Sequence, residues 1–226
     1  MDQIKRFAVF YAPPAGDFAD VAAAWLGWDA ALGCAVPQPD LGLPAAQITT
    51  DPRKYGFHGT IKPPFRLADG QTEADLRAGL AALAGQLLPV VLPGLRLANL
   101  DGFLALVPEG DAAALGALAE AVVKGLDLFR APLNAAEMAK RRPERLTPRQ
   151  LHLLQAYGYP FVMEEFRFHL TLTNRLAEPL ASLAAERLMA HFAPVIPQPF
   201  VIGDLCLFGE AADGRFHLLH RYTLSG

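Results

Sequence analysis

Phe57-His58-Gly59-Thr60 reads FHGT, and Phe168-His169-Leu170-Thr171 reads FHLT. An aliphatic residue follows each word, Ile61 in one case and Leu172 in the other. With 14 Phe and 6 His in 226 residues, independent draws give on the order of 0.01 such words per chain. A shared cause therefore explains the pair better than coincidence. On an extended strand alternate side chains share a face. His58 and Thr60 then point one way, and Phe57, Gly59 and Ile61 the other. The second word sorts likewise, with His169 and Thr171 opposite Phe168, Leu170 and Leu172. The same parity adds Lys62 to the first polar face, and Arg167 and Thr173 to the second. Each face thus offers an imidazole, a hydroxyl and a cation, while the apolar residues supply the core side.

The elements around the two words repeat in order. Lys5–Tyr11 reads as a strand and Phe18–Leu32 as a helix, followed by a Pro/Gly-rich connection over 37–44. The first word lies on a predicted strand over 54–62 that Pro63-Pro64 ends. The pattern Thr72-Glu73-Ala74-Asp75 starts a helix to about Leu87, and strands over 90–98 and 102–107 follow. Asp111 opens another helix, to about Phe129. The second word lies on a strand over 166–173, then come a helix over 179–192 and strands over 200–208 and 215–224. Two half repeats result, approximately 55–107 and 166–224, with a helical basic insert over about 130–160. The expected fold is α+β, a single bilobal domain over 1–226. Its two pseudo-symmetric antiparallel sheets carry helices on the outside and face a central groove.

Composition narrows the function. Half the residues are hydrophobic (52%) and 19% are charged, which is the balance of a compact protein and not of a disordered one. A net charge of −3 gives no overall positive field for a long polyanion, so long nucleic acid is not the expected partner. Cys34 and Cys206 lie far apart without metal-ligand spacing and are expected to be reduced, in the cytoplasm. The uncharged run over 78–95 is broken by Pro89, Pro93 and Gly94, so no membrane segment is expected. The apolar stretch at the N-terminus is too short for a secretory signal. A monomer is expected.

Two histidines, two threonines and nearby cations around one groove suit phosphoryl transfer at a diester. A neutral imidazole takes a proton from the attacking oxygen, a protonated one gives a proton to the leaving alkoxide, and the hydroxyls hold the non-bridging oxygens. Histidine fits because its ordinary pKa, about 6.5, keeps both forms accessible near neutrality. Nothing in the pair requires a metal or another cofactor. Tyr55, just before the first word, and Tyr11, at the end of the first strand, are candidates to stack on a base or sugar. Lys62 and Arg167 are candidate anion ligands. In the insert, Arg141, Arg142 and Arg145 are placed to clamp a second phosphate, with Arg130 as a further candidate. His152, His191, His217 and His220 stand outside the pattern and are assigned no catalytic part.

Paired H-x-T-hydrophobic words in a chain of this length resemble the two-histidine phosphoesterase superfamily. The segments RFAVFYAPP, RKYGFHGTIKPPFRL, FRAPLNAAEMAKRRPERLTPRQLHLLQAYGYP and EEFRFHLTLTNRL resemble the branch associated with bacterial phosphonate catabolism. The resemblance implies a LigT-like bilobal fold. It also implies metal-independent cyclic phosphodiesterase or related ligase chemistry, with His58 and His169 catalytic and Thr60 and Thr171 binding phosphate. The partner it implies is a small phosphorylated molecule, a phosphoribosyl cyclic phosphate being the first to test. The alternatives are an enzyme of short RNA ends, acting on 2′,3′-cyclic or 2′,5′-linked termini, and a non-catalytic sensor of a phosphate ligand.

Overall fold

A computed structural model describes residues 4–226 of the chain. Its main sheet is entirely antiparallel. Along the chain the strands are β1 (Phe7–Tyr11), β2 (Trp28–Asp29), β3 (Cys34–Ala35), β4 (Gly59–Phe65), β5 (Val90–Leu92), β6 (Leu95–Leu100), β7 (Phe103–Pro108), β8 (Leu170–Arg175), β9 (Phe200–Ile202), β10 (Asp204–Glu210) and β11 (Phe216–Thr223). The helices are α1 (Asp17–Leu26), α2 (Ala45–Ile48), α3 (Thr50–Arg53), α4 (Glu73–Ala84), α5 (Ala113–Gly125), α6 (Ala135–Lys140), α7 (Pro148–Tyr157) and α8 (Leu180–Phe192).

Seven strands form the main sheet in the order β11-β10-β1-β4-β8-β7-β6. Its middle is its weakest seam: β4 and β8 share only the pair Gly59↔Leu170. The sheet therefore divides into two antiparallel halves, β11-β10-β1-β4 and β8-β7-β6. The predicted order strand, helix, short strand, hairpin is present twice, as β4-α4-β5-β6-β7 and β8-α8-β9-β10-β11. The hairpins are exchanged, however. The β6-β7 hairpin pairs with β8, and the β10-β11 hairpin reaches β4 through β1. The helices follow the exchange, α4 packing on β10 and β11 and α8 on β7. A two-stranded β5-β9 ribbon ties the repeats together.

β1 is a continuous apolar run because both of its faces are covered. Phe7, Val9 and Tyr11 join the main core under the helices. Ala8, Phe10 and Ala12 join a second cluster with Cys206, Phe208 and Phe216 on the opposite face. Pro63 and Pro64 do not end β4, which continues to Phe65. The pairing with β1 shifts register between Val9↔Lys62 and Phe7↔Phe65, and beyond Gly59 no β8 ladder exists for the prolines to interrupt. Several predicted boundaries move. The helix expected to reach Leu32 ends at Leu26, where Gly27 takes the left-handed conformation (φ 76). The strands expected over 90–98 and 200–208 each split in two, at Pro93-Gly94 and at Gly203. The expected helix start at Thr72 is a reciprocal capping box, and Thr147 closes another at the start of α7.

Candidate active site

The Gly59↔Leu170 pair fixes the relation of the two words. In an antiparallel register, stepping one residue each way sets His58 opposite Thr171 and Thr60 opposite His169. Gly59 and Leu170 turn to the core, where Leu170 is fully buried. His58, Thr60, His169 and Thr171 leave from the other face, and all four are half-buried. Each histidine precedes the first residue of its strand and is steadied in the same way. Nδ1 of His58 lies 2.9 Å from the Gly56 carbonyl, and Nδ1 of His169 lies 2.8 Å from the Arg167 carbonyl. A carbonyl only accepts, so Nδ1 carries the hydrogen in both rings and Nε2 is left for chemistry.

The two imidazoles stand in different surroundings. The His58 ring sits 4.1 Å from the ring of Phe10 and 5.4 Å from that of Tyr55, centroid to centroid. Tyr55 is in turn stacked on Phe216 at 4.9 Å. This enclosure pushes the His58 pKa down to about 4; the Gly56 carbonyl opposes the shift and the charge of His169 adds to it. His58 is thus neutral near pH 7, and the rings are close enough to sense each other. His169 has one aromatic neighbour, Phe103, at 5.7 Å.

Around these residues lies a groove of about 820 Å³, a volume typical of small-molecule sites. His58, just before β4, and Thr60 and Lys62 from β4 line it, with Thr171, Thr173 and Arg175 from β8 and Phe103 from β7. The charge here departs from that of the whole chain. Eight Lys and Arg line the groove (Lys5, Arg6, Lys62, Arg66, Arg130, Lys140, Arg141 and Arg175) against three carboxylates, Asp51, Glu137 and Glu210. A protein of net charge −3 therefore concentrates cations around its two threonine hydroxyls, an arrangement that draws in a small anion.

The predicted residues divide. His58, Thr60, Tyr55, Lys62, Thr171 and Arg141 line the groove, and His169 stands beside its lining residue Phe103. Lys62 is on the predicted face but engaged within the protein. Its Nζ donates to the Val123 carbonyl at 3.0 Å and lies 3.6 Å from Asp127. Burial pulls its pKa down to about 8, against the field of Asp127. Tyr11 is not at the groove. It is buried on the core face of β1 between Phe168 and Phe200, and burial raises its pKa well above the ordinary phenol value. Arg167 does not line the groove either, because the segment before β8 is not yet strand and the alternation fails there. Its guanidinium donates to the carbonyls of Glu164 and Phe166. Of the insert arginines, Arg141 and the adjacent Lys140 face the groove, while Arg142 and Arg145 do not. Arg130 lines it but is held by Asp127 and the Ala156 carbonyl.

Sequence reasoning missed Lys5, Arg6, Arg66, Phe103, Tyr157, Tyr159 and Arg175, all of which line the groove. Arg175 was within reach of the alternation, which runs 169, 171, 173, 175. No spacing signal marks the others: Lys5 and Arg6 precede β1, Arg66 follows β4, Phe103 belongs to the exchanged hairpin, and Tyr157 and Tyr159 come from the insert. Among the described residues, no three His, Cys, Asp or Glu side chains gather in a metal-binding group, and no helix is long and apolar enough to cross a membrane.

Comparison with known proteins places the chain. Residues 60–217 match the family described as "Protein of unknown function (DUF1045)". The chain belongs to this family. Two curated relatives carry the name ribose 1,5-bisphosphate phosphokinase PhnN. The one from Janthinobacterium sp. (strain Marseille) is 36% identical over 94% of this chain and 49% of its own length. The one from Laribacter hongkongensis (strain HLHK9) is 37% identical over 96% of this chain and 51% of its own length. The chain thus spans about half the length of these relatives. Similar solved structures include E. coli LigT with 3′-AMP, at 16% identity, 99% and 100% coverage and a TM-score of 0.47. The same protein with NADP+ gives 16% identity, full coverage of both chains and a TM-score of 0.46. A phosphoesterase crystal structure gives 16% identity, 99% and 100% coverage and a TM-score of 0.43.

Proposed function

We propose that this protein is a two-histidine phosphoesterase that hydrolyses a small cyclic phosphodiester without a metal ion. The register at the β4–β8 seam carries the proposal, since it sets each histidine across from the threonine of the other word. A phosphorus atom held between the two Thr hydroxyls then has an imidazole available on either side. His58, held neutral by its enclosure, accepts a proton at Nε2 from the attacking water. The oxygen–phosphorus bond forms as the ring ester bond breaks, and His169 in its protonated form gives a proton to the departing alkoxide. Water and one ring bond are consumed, and a phosphomonoester and an alcohol result. The histidines end with their charges interchanged, and a proton passing through solvent resets them. Thr60 and Thr171 donate to the non-bridging oxygens, and the groove cations balance the added negative charge.

The relatives' printed name concerns ribose 1,5-bisphosphate, which favours a phosphorylated ribose cyclic phosphate as the substrate. The test is a panel of cyclic phosphates incubated with chelator, with products read by phosphorus NMR. Hydrolysis is expected in chelator, and His58→Ala and His169→Ala should each lower kcat by about 10²–10⁴-fold. Activity that disappears with chelator and returns with a divalent cation overturns the metal-free mechanism. Oligonucleotides ending in a 2′,3′-cyclic phosphate belong in the same panel. If they turn over faster than the sugar phosphates, the substrate is an RNA end.

A further inference from the structure

The groove holds more positive charge than one phosphate needs, and its cations are unequally free. Arg6 is paired with Glu210, Arg66 with Glu137, and Lys62 and Arg130 share Asp127. Four groove cations have no carboxylate within ion-pair distance among the described residues: Lys5, Lys140, Arg141 and Arg175. Lys5 donates to the Ala212 carbonyl and Arg175 to the Asp101 carbonyl. Lys140 and Arg141 make no side-chain hydrogen bond to a described residue.

Neither of these two adjacent cations is neutralised, and Arg141 is held in place. They end α6, whose start is closed by the Asn134–Glu137 capping box. The same Glu137 receives both a 2.9 Å and a 3.0 Å bond from Arg66, just beyond β4. The Arg141 guanidinium lies over the ring of Tyr159, 4.8 Å from its centroid. Tyr159 and Tyr55 both line the groove, and burial pushes the Tyr159 phenol pKa up, so that it stays a donor. Tyr55 in turn is the 5.4 Å neighbour of His58. The groove wall therefore carries His58 with Tyr55 at the reacting end, and Tyr159 with Arg141 at an unneutralised cationic end. At Arg142 the chain turns through the left-handed region (φ 50) and the lining stops.

We infer that Lys140, Arg141 and Tyr159 form a second anion subsite, and that the substrate carries a phosphomonoester in addition to the phosphorus that reacts. The two tyrosine rings between the sites offer a flat apolar wall for the sugar that joins the phosphates. The inference rests on the phosphoesterase reading only for the position of the first phosphate; the second subsite binds whether or not turnover follows.

The test compares ribose 5-phosphate with ribose 1,5-bisphosphate as calorimetric ligands at one fixed ionic strength. The wild-type protein should bind the bisphosphate about ten-fold more tightly or better. Arg141→Ala should bring that ratio to within about two-fold, and Arg141→Lys, which keeps the charge and loses the planar stack on Tyr159, should fall between. Arg142→Ala and Arg145→Ala change the net charge equally but do not line the groove, and should leave the ratio as in wild type. A wild-type ratio near one, or equal losses in the Arg141, Arg142 and Arg145 variants, overturns the subsite. Thermal melts of each variant show that the protein is folded, and Arg141→Lys carries the test should Arg141→Ala unfold. Turnover of cyclic phosphates is scored separately, so failure there with the ratio intact removes the proposed reaction and keeps the subsite.

Discussion

Replacing Gly59 by alanine tests the seam on which the candidate site is built. The glycine is not required by its torsion angles, as its φ is not positive; it is required by space. A Cβ placed there would lie 2.3 Å from Cζ and 2.4 Å from Cε2 of Phe168, where carbon atoms normally approach to about 3.5–4.0 Å. The Phe168 ring has to retreat by more than about 1 Å. It is buried, with the rings of Tyr11 and Phe200 both 6.1 Å away. Overpacking of this kind costs roughly 1–3 kcal/mol. The opposing gain, from a less flexible unfolded chain, is about 0.4–1 kcal/mol. Sterics win, and the net loss is about 1–2 kcal/mol. In a chain of this length that lowers Tm by roughly 2–8 °C. Urea melts of wild type, Gly59→Ala, Phe168→Leu and the double variant measure it. The double variant should recover about 0.5–3 kcal/mol relative to additivity, because the smaller side chain vacates the space the new methyl needs. A raised Tm for Gly59→Ala, or strict additivity of the pair, would refute the reasoning.

The depressed pKa of His58 makes stability depend on pH. Between its unfolded value near 6.5 and its folded value of about 4, the unfolded chain binds the proton more readily. Stability should therefore fall as pH drops through that window, by up to about 3 kcal/mol, and His58→Asn should remove that part of the pH dependence in melts. Asp127→Ala strips the carboxylate from the buried ammonium of Lys62, and a loss of about 3–5 kcal/mol is expected at pH 7. That loss should shrink above pH 8, where Lys62 sheds its proton; a cost independent of pH would contradict the ion pair. Trp25→Phe deletes the 2.8 Å bond that the buried indole gives to the Leu172 carbonyl on β8, and should cost roughly 1–3 kcal/mol in the same melts.

Strand alternation made His58, Thr60, His169 and Thr171 legible, because a period of two needs only the local chain direction. Tyr11, taken as a stacking candidate because it ends the first strand, was misplaced for a physical reason. β1 is covered on both faces, so nothing in FAVFY distinguishes the groove side, held by Phe10, from the core side, held by Tyr11. Alternation failed at Arg167, since the backbone before Leu170 is not extended strand and the Arg167 carbonyl is taken by His169. Pro63-Pro64 looked like a stop signal because the register shift that admits it belongs to the partner strand as much as to β4. The exchange of hairpins between repeats left no local trace, as it depends on which strand edges are open after the chain has folded. Arg6, just before β1, and Tyr159, in the insert, were invisible because they come from segments that no motif connects to either histidine.

The two halves of the main sheet are laced by a single rung, and that rung passes between the two imidazoles. Opening or twisting by a few degrees there would alter the spacing of His58 from Thr171 and of Thr60 from His169 together. It would leave each histidine's own anchor to its local carbonyl intact. Each imidazole is anchored to a carbonyl of its own half, so the gap between the rings is set by how the halves meet, and an anion that bridges the rung is held by groups from both sides.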